Sequence, residues 1–151
     1  MIKKLSIKSF FDVKEFVTNN RDFFNDFYFT EGRDRKFFQN DDKLIRKILQ
    51  HYVCYGQFHG DLQSMIVIYN SKGFRTYLKV LGKMSAKEAD LIKFILWKIG
   101  NKDLYIKLKV KNPLVNKLNQ FTIVGKRGLE VLMYRQKKPL KLLSPKQGDI
   151  V

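Results

Sequence analysis

The stretch LYIKLKVKN, at residues 104–112, decides the fold that the sequence predicts. Apolar and basic side chains alternate along it, so Ile106 and Leu108 are predicted to point into a core and Lys107 and Lys109 to point outward. A period of two residues is typical of a β-strand with one buried face. We therefore predict a strand over most of this stretch.

A helix with signals at both ends precedes that strand. Ser85 and Glu88 have capping-box spacing at its start, and Gly100 stands where helices commonly end in glycine. A β-rich run at residues 74–81 comes before the helix, and the strand at residues 104–110 comes after it. Strand, helix and strand in this order predict a right-handed crossover between two parallel neighbours.

Two helices and an antiparallel meander are predicted ahead of the crossover. Apolar residues at helical spacing support the helices, and turn residues separate the strands of the meander. In chain order the predicted elements are a strand at residues 3–8, a helix at 13–20, an irregular or short-helical excursion at 21–38, a helix at 41–50, and strands at 52–58, 64–69 and 74–81.

The residues after the crossover predict a short helix, a hairpin and a tail. The helix is expected at residues 114–119, directly after Asn112-Pro113, and the hairpin pairs residues 121–124 with 129–134. The tail from residue 136 has little periodicity, so it is expected to be extended or docked on the surface. We therefore predict one α+β (α/β) domain over residues 1–135, followed by an extended tail over residues 136–151.

The charge balance is the strongest feature of the composition. Thirty Lys and Arg against fourteen Asp and Glu give a formal net charge of +16 and a pI of about 9.9. Such a surface attracts polyanions, of which nucleic acid is the commonest in a cytoplasm. A genome rich in A and T, which enriches Lys, Asn, Ile and Phe together, explains the same composition without any function.

The remaining composition argues against several classes of protein. The chain holds one cysteine, Cys54, and two histidines, His51 and His59, so a structural zinc site and an internal disulfide are not expected. No run of about 18 uncharged apolar residues occurs, and the start of the chain lacks the apolar core of a signal peptide. We expect a cytoplasmic protein, associated with a virion if a phage encodes it.

The order of predicted elements over residues 3–135 resembles that of the GNAT N-acetyltransferase superfamily. The likeness is most specific where the strand ends in Asn112 and the aromatic-led stretch FTIVGKR, at residues 121–127, follows a short helix. Gly-Phe opens that final hairpin in the family, and Gln120-Phe121 stands here. The chain also looks similar to small phage-encoded members of the superfamily.

This resemblance implies a fold and a cofactor. The fold is a mixed sheet with an antiparallel meander, a central parallel strand pair splayed at the cofactor cleft, and flanking helices. The cofactor is acetyl-CoA or a related acyl-CoA, with its pyrophosphate at the positive start of the crossover helix. The residues implied to bind it are Leu78, Val80, Leu81, Gly82, Lys83, Met84, Ser85, Ala86, Lys87 and Asn112.

The chain departs from the family at two positions of the implied site. Only Gly82 and Ala86 are small in a loop that the family fills with Gly and Ala, and Lys83 and Lys87 supply point charges there. Leu118-Asn119 stands where the family often has a tyrosine that acts as general acid.

Acyl transfer to an amine needs a base. The candidates are Glu130 on the last strand, His59 and Asp61 beside a turn, and Tyr55 and Tyr77, which would act through a water. The alternatives are a cross-strand ion pair for Glu130 and a plain turn role for His59. Asn112 has a second interpretation as the N-cap before Pro113.

Two classes of function fit these features. The first is an N-acyltransferase that moves an acetyl or acyl group from acyl-CoA to an amine, on an acidic or nucleic-acid-associated target. The second is an inactive protein of the same fold from a phage or mobile element, acting as a nucleic-acid-binding or virion component. The sequence leaves the acceptor and the oligomeric state open.

Overall fold

The computed structural model describes residues 1–20, 28–30, 33–36, 41–70, 75–82, 88–128 and 130–138. Among these residues the helices are α1 (Phe10–Asn19), α2 (Asp41–His51) and α3 (Glu88–Ile99). The strands are β1 (Ile2–Leu5), β2 (Tyr28–Thr30), β3 (Arg33–Lys36), β4 (Val53–His59), β5 (Asp61–Asn70), β6 (Thr76–Gly82), β7 (Leu104–Lys109), β8 (Thr122–Arg127) and β9 (Glu130–Arg135).

Seven of these strands form one mixed sheet. Their order across the sheet is β1-β4-β5-β6-β7-β9-β8, and β2 and β3 pair separately. Strands β4, β5 and β6 form the predicted antiparallel meander, and β8 and β9 form the predicted final hairpin. After β7 the chain forms β8 at the edge of the sheet and then turns back, so that β9 lies between β7 and β8.

The pair β6–β7 is parallel, which confirms that the strands before and after α3 are parallel neighbours. Tyr77 is in register with Tyr105, and Lys79 is in register with Lys107. Helix α3 connects the two strands and ends at Ile99, and Gly100 follows it with a φ of 76°, which glycine adopts without strain. The predicted start of this helix at Ser85 lies outside the described residues.

The two faces of the sheet carry separate apolar cores. Helices α1 and α2 cover one face, which we call the α1/α2 face, and α3 covers the other, the α3 face. Alternation along β5 supplies both cores, because Met65 and Val67 pack with α1 and α2 whereas Ile66 packs with α3. Central strands covered on both sides are apolar on both sides, which explains the nearly continuous apolar run of β5.

The first strand and first helix differ from the prediction. The strand expected at residues 3–8 ends at Leu5, because Ser6 caps a 3₁₀ turn at Ile7–Ser9. The Ser6 hydroxyl accepts a hydrogen bond from the Lys8 amide at 3.3 Å, and the Ser9 hydroxyl accepts one from the Ser6 amide at 3.1 Å. Helix α1 then begins at Phe10 rather than at residue 13.

Two further segments differ from the prediction. Within the excursion at residues 21–38, the described residues form the antiparallel strands β2 and β3 rather than irregular or helical structure. The short helix expected at residues 114–119 is present, but as a shorter 3₁₀ helix at Pro113–Asn116. Local propensity does not separate a single tight turn from the first turn of a helix, since both begin with the same backbone angles.

The start of the tail is docked beside the end of α3. The Lys137 amide donates to Asp103 Oδ1 at 2.6 Å, and the Lys138 amide donates to Asn101 Oδ1 at 2.8 Å. The rest of the tail, residues 139–151, lies outside the described residues, so its predicted course stays a prediction. None of the described helices has the length and apolar character that crossing a membrane requires.

Candidate active site

The pairing of β6 with β7 ends before either strand ends. Their last register pair is Lys79 with Lys107. Strand β6 nevertheless stays paired with β5 as far as Gly82, and β7 stays paired with β9 as far as Lys109. The strands therefore part at this point, and we call the opening between residues 80–82 and 108–109 the fork.

Alternation along β6 gives the fork two chemically different faces. Leu78 and Val80 pack into the apolar core on the α3 face, together with Leu108 of β7. Tyr77 and Leu81 belong to the core on the opposite, α1/α2 face. Lys79 lies between them on that second face, so a charged group stands where its neighbours are apolar.

Lys79 forms an ion pair with Glu130 across the neighbouring strand. Its Nζ lies 3.1 Å from Glu130 Oε2, and the exposed fractions of the two side chains are 0% and 12%. Burial lowers the pKa of Lys79 from 10.5 to about 8; the charge of Lys107 adds to this effect, and Glu130 opposes it. Because β7 lies between β6 and β9, the pair reaches over β7 beside the fork.

A row of tyrosines crosses the sheet next to the fork, on the same face as Lys79. Tyr69, Tyr77, Tyr105 and Tyr134 lie in register on four adjacent strands. Successive ring centroids are 5.4, 5.0 and 4.8 Å apart. Tyr77 is buried between two of these rings, and such contacts fix ring positions.

Lys107, which was predicted to point outward, is half-buried over this row. Its Nζ lies 5.1 Å from the centroid of the Tyr77 ring and 5.6 Å from that of the Tyr69 ring. The face opposite Ile106 is thus partly covered rather than fully exposed to solvent. The ring faces attract the ammonium group, which holds it beside Lys79.

The other candidate residues lie at different distances from the fork. Asn112 is buried shortly after β7. His59 is exposed at the end of β4, next to the tight turn at Gly60, and β5 separates its strand from β6. Gly82 ends β6, and its implied neighbours Lys83, Met84, Ser85, Ala86 and Lys87 lie outside the described residues.

Sequence reasoning missed Lys79, although a signal was present. A strand that enters a parallel crossover is covered on both faces, so a lysine between Leu78 and Val80 has to be buried. Buried charges are paired with an opposite charge. The carboxylate of Glu130, already a candidate for a cross-strand ion pair, is that partner.

The fork combines features that suit an extended ligand with a reactive end. The strand edges that face each other beyond Lys79 are not paired with each other, so their backbone groups can bind an amide-containing chain. An amine and a carboxylate meet on one face of the opening. Such a pair can hold or move a proton beside whatever passes through.

Known structures share this architecture, although no family model and no curated protein matches the sequence. An N-acetyltransferase from Staphylococcus aureus Mu50 has 18% identity and a TM-score of 0.63, over 90% of this chain and 96% of its own. The PaiA N-acetyltransferase from Thermoplasma acidophilum, in complex with coenzyme A, has 15% identity and a TM-score of 0.59, over 90% and 98%.

A third structure names the family whose fold this is. The acetyltransferase of the GNAT family from Bacillus cereus ATCC 10987 has 13% identity and a TM-score of 0.61, over 92% of this chain and 98% of its own. The mixed sheet with one parallel strand pair therefore has the fold of the GNAT N-acetyltransferases. The likeness to small phage-encoded members stays a prediction.

Proposed function

We propose that the protein is an acyl-CoA-dependent N-acyltransferase, which moves an acetyl or related acyl group from the CoA thioester to a primary amine. The observation that carries this proposal is the fork between β6 and β7, with Lys79 and Glu130 on one of its faces. Known proteins support the proposal through their fold, which this chain shares with the PaiA N-acetyltransferase that was solved with coenzyme A.

The residues of the fork fit the cofactor. Pantetheine carries amide groups, and the backbone of Val80 and Leu81 offers them a strand edge beyond the last β6–β7 pair, whereas Leu78 is still paired with Ile106. Gly82 and residues 83–87, which precede α3 in the sequence, would supply the amides and lysines for the pyrophosphate, and Asn112 flanks the opposite strand. The bound cofactor supplies the activated acyl group as a thioester.

Glu130 is the base in this proposal. Its carboxylate faces the α1/α2 side of the fork and accepts the proton that an acceptor ammonium group loses before attack. The Tyr77 ring is stacked between the rings of Tyr69 and Tyr105. It lies next to Lys79, the residue that pairs with the Glu130 carboxylate. The proposal does not use His59, because β5 lies between its strand and β6.

The net charge of +16 bears on the acceptor. A strongly basic protein meets acidic partners faster than neutral ones, because long-range attraction steers the encounter. We propose an amine on an acidic or nucleic-acid-associated target as the acceptor. A steep fall in turnover with rising salt, at constant acyl-CoA affinity, tests this part separately.

Calorimetry with acetyl-CoA tests the function directly. We expect binding in the micromolar range, followed by release of free CoA when an amine acceptor is added. Glu130→Gln should keep acetyl-CoA affinity and reduce turnover by about a hundredfold, the size of a lost general base. Folded protein that does not bind acetyl-CoA at millimolar concentration would exclude the proposed activity.

A further inference from the structure

The Lys79 side chain lies across the α1/α2 mouth of the fork. Its strand and that of Glu130 are separated by two strand spacings, about 10 Å in total. The 3.1 Å contact between their charged groups therefore requires Lys79 to extend over β7, next to the point where β6 and β7 part. No part of this side chain is exposed.

An acyl group in the fork would meet this amine first. In the proposed function the cofactor's pyrophosphate lies at the start of α3, which covers the α3 face. The pantetheine arm then passes between β6 and β7, and its thioester emerges on the α1/α2 face. That is the face on which Lys79 Nζ lies.

We propose that Lys79 is itself an acyl acceptor, modified by the protein's own bound acyl-CoA. This inference rests on the proposed function. The lone pair of Nζ attacks the thioester carbonyl carbon, an amide bond forms, and the C–S bond breaks. The proton lost by the lysine passes to Glu130 and from there to the departing thiolate, so the products are Nε-acyl-Lys79 and free CoA.

The surroundings of Lys79 favour this step. Burial, together with the nearby charge of Lys107, lowers its pKa to about 8, although Glu130 opposes the shift. About one amine in ten is then neutral at pH 7, against fewer than about one in a thousand for an ordinary lysine. The Glu130 carboxylate is already within hydrogen-bond distance of the proton that has to leave.

Acylation would also change the charge of the site. An amide nitrogen carries no charge, so modified Lys79 no longer neutralises Glu130. The carboxylate is then available to an external ammonium group, which makes the modification a way to prepare the site for its acceptor. Lys107 stays charged over the tyrosine rings in both states.

Mass spectrometry with isotopically labelled acetyl-CoA tests the proposal. The folded wild-type protein should gain one labelled acetyl group that peptide mapping places on Lys79. Denatured protein gives the background of uncatalysed lysine acetylation, and the Lys79 signal should exceed it at least tenfold. Glu130→Gln should slow the reaction about a hundredfold by removing the proton acceptor.

Two lysine variants make the matched comparison. Lys79→Arg keeps a cation opposite Glu130 and should lose the labelled group, whereas Lys107→Arg should retain it on Lys79. If Lys79→Arg does not fold, peptide mapping of the wild-type protein alone shows whether Lys79 carries the labelled acetyl group. Acetyl-CoA that binds by calorimetry without labelling Lys79 above background overturns this inference and leaves the proposed function standing; absent binding overturns both.

Discussion

Lys79 and Lys107 lie directly opposite each other in the parallel pair, and their two ammonium groups take different partners. Lys79 Nζ lies 3.1 Å from Glu130 Oε2, and Lys107 Nζ lies 5.1 Å from the centroid of the Tyr77 ring. Like charges directly opposite on neighbouring strands repel each other. The carboxylate and the ring faces compensate for that repulsion at the point where the sheet opens.

A double-mutant cycle on the buried pair should show that it does not stabilise the fold. Removing one partner leaves a buried charge uncompensated, so Glu130→Leu should lower the free energy of unfolding by about 3 kcal/mol. Replacing both with apolar residues, in Lys79→Met with Glu130→Leu, should restore or exceed wild-type stability. Urea denaturation at pH 7 measures all four proteins, and a double variant as unstable as Glu130→Leu would contradict this.

Stability should rise with pH because of Lys79. Burial lowers its pKa in the folded protein to about 8, with a further contribution from Lys107, while the unfolded value is near 10.5. Between these values the unfolded chain binds the proton more tightly, so stability increases as pH rises from about 8 towards 10.5. The difference amounts to about 3 kcal/mol at most.

The comparison of wild type with Lys79→Met isolates this group from other titrations. Both proteins are denatured in urea at pH 7 and at pH 10. The wild type should gain stability relative to the variant over this interval. Equal gains in both proteins would show that burial does not lower the pKa of Lys79, and this would contradict the prediction.

The end of β6 should tolerate no branched side chain if acyl-CoA binds there. Gly82 is the residue where β6 ends, and a β-branched residue there would prevent the close approach of the protein backbone to the cofactor phosphates that the proposed site needs. Gly82→Val should abolish acetyl-CoA binding in calorimetry with the fold intact by circular dichroism. Gly125→Ala is the matched control on β8, where an added Cβ meets Leu132 at 3.8 Å, an ordinary contact.

Cys54 should be unreactive in the folded protein. Its side chain is buried, and burial raises the pKa of the thiol to about 12. The thiolate is the reactive form, so a thiol reagent such as Ellman's should titrate no group in native buffer and one per chain in guanidinium. Rapid native labelling would contradict the described packing, and slow labelling allows the same reagent to follow CoA release.

Much of this fold could be predicted because its signals are local. The crossover depends on a strand period, a helix stop at Gly100 and a second strand period, all within about 40 residues. The 3₁₀ turn after Ser6 could not be predicted in this way, since Ser6 lies inside an alternating pattern that continues to Lys8. The strand ends there because the Ser6 side chain caps the turn that follows.

The site was less predictable because it depends on contacts between distant strands. Glu130 was a candidate for a cross-strand ion pair, but its partner comes from β6, two strands away, and not from the adjacent strand. The partial burial of Lys107 could not be predicted for the same reason, because alternation gives the face on which a residue lies and not what covers that face. Sequence spacing carries no information about either contact.

The position of β9 inside the sheet determines when the site forms during synthesis. A ribosome releases β6, α3 and β7 first, and β7 then has an open edge until residues 130–135 emerge and insert beside it. Glu130 is the first residue of that strand, so Lys79 stays without this carboxylate in every shorter nascent chain. Domains tend to fold as they are made, and here the last of the described strands brings the carboxylate that pairs with Lys79.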